Sequence, residues 1–186
     1  MKKLLSLFLL VTLIALPACG TGNVNPVDKY HALVAKGDFE EARSLREELS
    51  EEDVAVIEAK LDELFEAQEL VVTSTGHTMY VDDITGRPLG TYDAKISVSN
   101  KSNRIITSYV IAYRFHQGFG NLPLSDFLEA SNEYANFMPL SDYTITTKRY
   151  TRCSSDSVRV RAVVKRVTFT DGSTWENPFY PYWRAA

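Results

Sequence analysis

The sequence has few of the residues that build metal centres and disulfide frameworks. It contains 2 cysteines and 3 histidines among 186 residues, and the histidines are scattered along the chain. It has no HExxH, no CxxC and no glycine-rich phosphate loop. The sequence therefore gives no reason to expect a zinc enzyme, a disulfide-stapled scaffold or a P-loop protein, and it predicts no cofactor.

The sequence also lacks a strong excess of one charge. Lys and Arg total 20 against 24 Asp and Glu, a formal net charge of −4, so no nucleic-acid partner is expected. A hydrophobic fraction of 45% is too high for a disordered chain and suits one or two folded domains. We predict a protein that is not an enzyme. The alternative is a small hydrolase built around His77 or His116.

The longest apolar run lies at the start of the chain. Two lysines precede the 13 apolar or small residues from Leu4 to Leu16, and small residues follow. A helix needs about 20 residues to cross a bilayer, so this run predicts a secretion signal and not a permanent span. We assign residues 1–18 to the signal peptide.

The end of this signal carries a specific motif. Leu16-Pro17-Ala18-Cys19 resembles the lipobox of bacterial lipoproteins. The resemblance implies that Cys19 becomes the first mature residue and carries a diacylglycerol thioether and acyl chains, which hold the protein on a membrane. Pro17 departs from the residues usual at its position. The alternative is ordinary signal cleavage after Gly20, which would release a secreted protein.

The lipoprotein hypothesis also predicts a location. Gly20 stands where an Asp would signal inner-membrane retention in enteric-type bacteria, so the expected location is the bacterial cell envelope, on the outer membrane facing the periplasm if the organism is Gram-negative. Residues 19–27 would form the lipidated cysteine and its tether. Cys153 would then lack an intramolecular partner and is either a small buried residue or a reactive thiol.

Helical periodicity follows the tether. Residues 28–69 predict three helices, over Asp28 to Lys36, Asp38 to Leu49 and Glu51 to Gln68, with Ser50 as the N-cap of the third. The stretch from Ala35 to Leu45 resembles the helix turn of a tetratricopeptide repeat. Only one such unit is visible, whereas solenoids need about three.

Residues 70–186 show the two-residue period of strands. Ala94, Ile96 and Val98 alternate with polar residues, and the strand at 104–115 is predicted to form a hairpin with this one. A second hairpin is predicted between 143–153 and 157–170, with a bulge near 163–166 because the apolar parity changes there. An earlier short strand is expected at Leu70 to Ser74.

These strands predict an α+β protein, a helical hairpin or three-helix unit followed by an antiparallel β-sandwich. The segments ISVSNKSNRIITSYVIAYRF, PLSDYTI and VRVRAVVKRVTFTDGST resemble immunoglobulin-like domains of the FxLYD type, although the FxLYD tetrad itself is absent. This resemblance implies a binding or spacer module. Residues 116–142 are long for a connection, and a short helix from Ser125 to about Asn136 is expected within them, as a lid or a partner-binding loop.

Charge is unevenly distributed along the chain. Residues 28–69 carry 14 acidic and 5 basic side chains, whereas residues 70–186 carry 10 acidic and 13 basic ones. Arg159, Arg161 and Lys165 share one face of a predicted strand. That face is either solvated, covered by the acidic helices, or attracted to anionic envelope material.

Aromatic residues are concentrated at the end of the chain. Tyr180, Tyr182 and Trp183 lie around Pro178 and Pro181, two prolines that exclude a central strand. Such rings either cover an edge of the sandwich or bind a ligand. The sequence therefore predicts a lipid-anchored, non-catalytic binding or scaffolding module with an envelope protein as partner. The alternative is a glycan- or peptidoglycan-binding protein that uses the C-terminal aromatics. Asp82 and Asp83 are expected to be plain turn residues.

Overall fold

The structure, a computed structural model, describes residues 24–118, 122–147, 150–151 and 157–186. The predicted signal peptide, Cys19 and Cys153 lie outside the described residues. Three helices open the described chain: α1 (Pro26–Lys36), α2 (Phe39–Glu48) and α3 (Glu51–Glu66). Their predicted bounds are confirmed to within two residues. Across the part of the chain that is described, no helix is both long and apolar enough to cross a bilayer.

Local capping explains where these helices begin and end. The Asn25 side chain accepts a hydrogen bond from the Val27 amide at 2.9 Å, which starts α1. Gly37 ends α1 with a left-handed φ of 87°, a conformation that glycine adopts without steric cost. The predicted N-cap at Ser50 is confirmed, because its hydroxyl accepts from the Asp53 amide at 3.2 Å.

The rest of the chain forms two antiparallel sheets and a last helix. The first sheet contains β1 (Leu70–Val81), β2 (Pro88–Asn100), β5 (Asp142–Thr146) and β6 (Tyr150–Thr151), with β5 and β6 both paired to β2. The second sheet has the order β4 (Leu128–Asn132), β3 (Ile106–Gln117), β7 (Val158–Phe169), β8 (Thr174–Glu176). Helix α4 (Tyr180–Ala185) follows. The predicted fold class, α+β with a sandwich-like pair of antiparallel sheets, is confirmed.

The two sheets enclose one apolar core. Tyr92, Ala94, Ile96 and Val98 of β2 are at most 1% exposed, and they pack against the odd-numbered residues of β3 from Tyr109 to Phe115. The predicted alternation of β2 is therefore confirmed. Full burial of each large apolar side chain contributes about 1.5–3 kcal/mol, which makes this cluster the main source of stability.

Both predicted hairpins are wrong. The strand β2 pairs with β1, whereas β3 lies in the second sheet and pairs with β7. In the same way β5 pairs with β2 and not with β7. The crossing from β2 to β3 is fixed by Asn100, which is fully buried and donates to the carbonyl oxygens of Arg104, Phe137 and Met138 at 2.8–3.1 Å. The polar residues after β2 thus turn the chain between sheets.

Two further local predictions need correction. The expected helix from Ser125 to about Asn136 is absent from the described chain there, and the segment supplies β4, an edge strand paired with β3. The early strand at Leu70 extends to Val81, so His77 lies in β1 and not in a loop. The turn after it is built by Asp82, whose carboxylate accepts from the Thr85 amide at 2.7 Å.

The predicted bulge in β7 is confirmed. Val110 pairs with Arg166 and Ile111 pairs with Val164, so Lys165 is the extra residue. The bulge lets Val160, Val164, Val167 and Phe169 all reach the core although their parity changes. On the opposite, outer face of β7 lie Arg159, Arg161 and Val163.

The helices form a second, smaller core. It contains Tyr30, Val34, Ala42 and Ile57 of α1 to α3 together with Ala185 of α4, and Tyr182 packs against it. Helix α4 contacts α1, α2 and β7, so it joins the helices to the outer face of the second sheet. Asn177 fixes this junction, because its side-chain amide donates to Gln68 Oε1 at 2.9 Å and to the Val164 carbonyl at 2.7 Å.

Candidate functional site

A cleft of about 600 Å³ lies between the helices and the outer face of the second sheet. We call it the arginine cleft. Its lining residues are Arg43, Arg46, Glu47, Val54, Arg114, His116, Pro123, Phe127, Arg161, Trp183, Arg184, Ala185 and Ala186. Five arginines from α2, β3, β7 and α4 therefore meet one acidic side chain among the lining residues of the described chain.

The floor of the cleft is a pair of arginines. Arg114 of β3 and Arg161 of β7 stand directly opposite one another in the antiparallel register, so their side chains leave the same face of the sheet. Their Cβ atoms are then about 4.5–5.5 Å apart, and like charges in this arrangement destabilise a sheet. The like charges that act most strongly on Arg161 itself are those of Arg159 and Arg43.

Carboxylates neutralise only part of this charge. Arg43 lies 3.0 Å from Glu40, and Arg46 is ion-paired with Glu58. Among the described residues, no carboxylate lies within 4.0 Å of a nitrogen of Arg114, Arg161 or Arg184. The cleft consequently keeps an excess of positive charge.

Aromatic rings hold the three arginines that lack a carboxylate. The ring of Phe127 contacts both Arg114 and Arg184, whose guanidinium carbons are 4.6 and 4.7 Å from its centroid. Arg184 is also 4.6 Å from the ring of Phe39, and Arg161 is 5.9 Å from the ring of Trp183. Cation–π contacts of this kind contribute about 0.5–2 kcal/mol each and fix the side chains without neutralising them.

Burial and like charge both act on Arg161. Desolvation lowers the pKa of the Arg161 guanidinium, and the nearby positive charges of Arg159 and Arg43 lower it further. Arg184 is constrained in another way, because its Nε is buried and has no hydrogen-bond acceptor within the described residues. An anion in the cleft would favour the charged form of Arg161 and would bring acceptors to the site.

The structure brings only two of the predicted binding residues into the cleft, Arg161 and Trp183. Lys165 bonds to Glu129 at 2.7 Å and lies 5.7 Å from the ring of Tyr180, outside the cleft. Tyr182 belongs to the helical core, where its hydroxyl is 2.9 Å from His31 Nδ1. Cys19, the predicted lipidation site, lies outside the described residues.

Arg159 lines a second groove at the seam between the sheets. Thr75 and His77 of β1 form its other wall, and the Thr75 hydroxyl donates to the Val160 carbonyl at 2.7 Å. Arg161 also lines this groove, so among the described lining residues two arginines of one strand meet there, against five arginines from four elements in the arginine cleft. The hydrogen bond between Thr75 and Val160 joins β1 to β7 at this place.

Of the three alternatives for the basic strand face, docking of the acidic helices through ion pairs is not what the structure shows. Ion pairs between α1–α3 and β7 are absent from the described residues. Helix α2 instead turns Arg43 and Arg46 toward the cleft together with Glu47, while its glutamates at 40, 41 and 48 are exposed and do not line the cleft. The helices therefore add positive charge to this face.

Sequence reasoning missed Arg43, Arg46, Arg114, Arg184 and Phe127. None of them lies on the same element as Arg161. Arg43 and Arg46 share α2, and the other three lie on separate elements or loops, so sequence spacing does not connect them. The available signal was the pairing of β3 with β7, which places Arg114 opposite Arg161. The predicted hairpins assigned other partners to both strands.

The fold and the cleft define an α+β protein with a sandwich-like pair of antiparallel sheets and a basic cleft beside them. Residues 93–186 match a family of unknown function, DUF5780, and the chain belongs to this family. The match begins in β2 and includes Arg114, Arg161 and Arg184 but not α2. No curated protein matches the chain.

Among solved structures, the chain is similar to a hypothetical protein from Peptoclostridium difficile 630 whose crystal structure is known. The two are 15% identical, and the TM-score is 0.45. The similarity covers 62% of this chain and 90% of that one.

Proposed function

We propose that this protein is a non-catalytic binding module, anchored in the bacterial envelope by lipid on Cys19, and that its binding site is the arginine cleft. The observation that supports this function best is the cluster of Arg114, Arg161 and Arg184 in one cleft, none of which has a carboxylate within 4.0 Å among the described residues. Folded proteins keep such an arrangement at a cost in stability, and a bound anion removes that cost.

The proposed partner is an envelope component that presents an anionic group to the cleft. Acyl chains on Cys19 would confine the protein to a membrane surface, which raises its effective concentration toward other envelope components. We retain the outer membrane, facing the periplasm, as the proposed location in a Gram-negative organism. The relations to FxLYD-type immunoglobulin-like domains and to a single tetratricopeptide-like hairpin also remain hypotheses.

The anchor is tested by metabolic labelling with a fatty-acid analogue. We expect the wild-type protein to incorporate the label and Cys19→Ser to lose it. The matched control is Cys153→Ser, the other cysteine, which should retain full labelling. If the Cys19→Ser variant still incorporates the label, the proposed anchor is contradicted, and the proposed binding site is not affected by that result.

The binding site is tested by crosslinking in cells. A photo-crosslinking amino acid at Glu47, which lines the cleft, should capture an envelope component, and the same residue at Glu48 should not. The two positions are adjacent and exposed on α2, so only their relation to the cleft differs. Adding Arg161→Gln to the Glu47 variant should abolish the crosslink. Equal crosslinking at both positions would contradict this site.

A second candidate function is the binding of a glycan. The observation in its favour is that Phe127 and Trp183 form an aromatic wall of the same cleft, with their ring centroids 5.6 Å apart. Co-sedimentation with insoluble peptidoglycan that is lost on Trp183→Ala but kept in Trp175→Ala would favour this function over a protein partner.

A further inference from the structure

The size and the charge of the arginine cleft restrict what it binds. A volume of about 600 Å³ lies within the usual range for small-molecule sites, about 300–1,000 Å³. Three guanidinium groups there, those of Arg114, Arg161 and Arg184, have no carboxylate within 4.0 Å among the described residues. A ligand that neutralises this site must carry more than one negative charge or several acceptor oxygens.

The three guanidinium groups come from three different elements. Arg114 lies on β3, Arg161 on β7 and Arg184 on α4. A carboxylate is planar, so its two oxygens accept hydrogen bonds close to one plane, and a bidentate arginine occupies one side of it. A phosphate monoester is tetrahedral, has three terminal oxygens and carries a charge of about −1.5 to −2 at pH 7, so it accepts hydrogen bonds from several directions.

The contacts of these arginines leave donors for such a group. Arg114 uses its Nε to donate to the Ser125 carbonyl at 2.7 Å, which directs its terminal nitrogens elsewhere. Arg161 and Arg184 are held by aromatic rings, and a guanidinium over a ring face keeps the N–H donors that lie in its own plane.

The aromatic side of the cleft indicates that the ligand is larger than a free ion. Phe127 and Trp183 line the cleft beside the arginines, and the volume exceeds what a bare phosphate fills. Apolar walls with a few convergent polar groups are typical of sites for organic ligands. The organic part of the ligand would therefore lie against these rings.

We propose that the arginine cleft binds a phosphate monoester, with the phosphate between Arg114, Arg161 and Arg184 and the organic group toward Phe127 and Trp183. This inference rests on the proposed function, because it names the anion that the binding module recognises. The phosphate belongs either to a soluble metabolite or to a lipid headgroup. Both sources present the same group to the same donors.

The test is isothermal titration calorimetry on the full chain purified in a neutral detergent. We expect glycerol 3-phosphate to bind and glycerol not to bind. Arg161→Gln and Arg184→Gln should each weaken binding by about tenfold or more, the effect of losing one charge-assisted hydrogen bond. Arg166→Gln is the matched control, an arginine on the same strand that does not line the cleft, and its affinity should stay within about twofold of wild type.

Citrate separates this inference from the proposed function. If citrate, which has several carboxylates but no phosphate, binds as tightly as glycerol 3-phosphate, the phosphate assignment is overturned while an anion-binding cleft stands. If neither anion binds folded wild-type protein, the inference is overturned and the crosslinking experiment alone decides the proposed function. Thermal unfolding of each variant shows that it is folded.

Short-chain phosphatidic acid distinguishes the two sources of the phosphate. Its headgroup is the same monoester as in glycerol 3-phosphate, with two acyl chains added. Tighter binding of the lipid by tenfold or more, lost in Arg161→Gln, would assign the site to a lipid headgroup. Equal affinities would assign it to a soluble phosphate ester, and lipid binding that persists in Arg161→Gln would overturn the inference for the lipid.

Discussion

The two faces of the second sheet are made by the same strands but have different roles. On the inner face, Phe115 of β3 and Val160 of β7 pair across the strands and are buried in the sandwich core. One residue away, Arg114 and Arg161 pair on the outer face with like charges. Alternation in a strand thus lets one pair of strands stabilise the fold on one side and present an unneutralised site on the other.

The largest effect is expected from the inner face. Phe115→Ala removes a fully buried ring and should lower the free energy of unfolding by about 3–5 kcal/mol, since the cavity adds to the lost transfer energy. Urea denaturation followed by circular dichroism measures it. Gln117→Ala, an exposed position on the same strand, should change stability by less than about 0.5 kcal/mol. Equal losses in the two variants would refute the assignment of the core.

The junction between the helices and the sheet should give the next largest effect. Asn177→Ala removes two donors to buried partners, Gln68 Oε1 and the Val164 carbonyl, and should cost about 1–3 kcal/mol. Hydrogen exchange should then rise in α4 before it rises in β3. Unchanged exchange in α4 would show that Asn177 does not hold this helix on the sheet.

On the outer face the expected sign is reversed. Arg161→Gln removes the repulsion from neighbouring arginines, Arg159 and Arg43 above all, and should raise the free energy of unfolding by about 0.2–1 kcal/mol at low ionic strength. The contact with Trp183 that is lost with it is 5.9 Å long, at the outer limit for a cation–π contact, so we expect the relief of repulsion to be larger. Added salt screens the charges, so the gap between variant and wild type should narrow in 0.5 M salt, where the Debye length is about 4 Å. A clear loss of stability in Arg161→Gln would mean that the repulsion is already neutralised.

The smallest effect is expected from an arginine that has a partner. Arg166 lies 3.8 Å from Glu176 and is exposed. Arg166→Gln should lower stability by about 0–1 kcal/mol, because exposed ion pairs contribute little. The free energy of unfolding would then rise on substitution of one arginine of β7 and fall on substitution of the other. The same response from both would erase the distinction between the paired and the unpaired site.

The sequence predicts elements better than it predicts their partners. Capping at Ser50 and the alternation of Ala94, Ile96 and Val98 are local signals, and both are confirmed. Pairing is not local: a short polar turn after Asn100 is compatible with a hairpin or with a crossing between sheets. The buried amide of Asn100, which bonds to residues 37 and 38 positions away, decides for the crossing.

The same limit applies to the site. Arg161 and Trp183 were predicted as binding residues from local composition, one on a basic strand face and one in an aromatic tail. Their meeting with Arg114 and Phe127 depends on strand pairing and on the packing of α4, which no local pattern encodes. The charge imbalance between the two parts of the chain suggested attraction, but the arginines of α2 face the basic strands.

The extra residue in β7 has a consequence for protein engineering. Val164 and Arg166 pair with neighbouring residues of β3. Removing Lys165 would therefore leave a regular strand in which all the remaining side chains keep their present faces. It would also remove the carbonyl that accepts from the Asn177 amide at 2.9 Å. A single-codon deletion would therefore weaken the attachment of the C-terminal segment to β7 while the pairing of β8 and the packing of Ala185 remain, and so show how far ligand binding depends on that attachment.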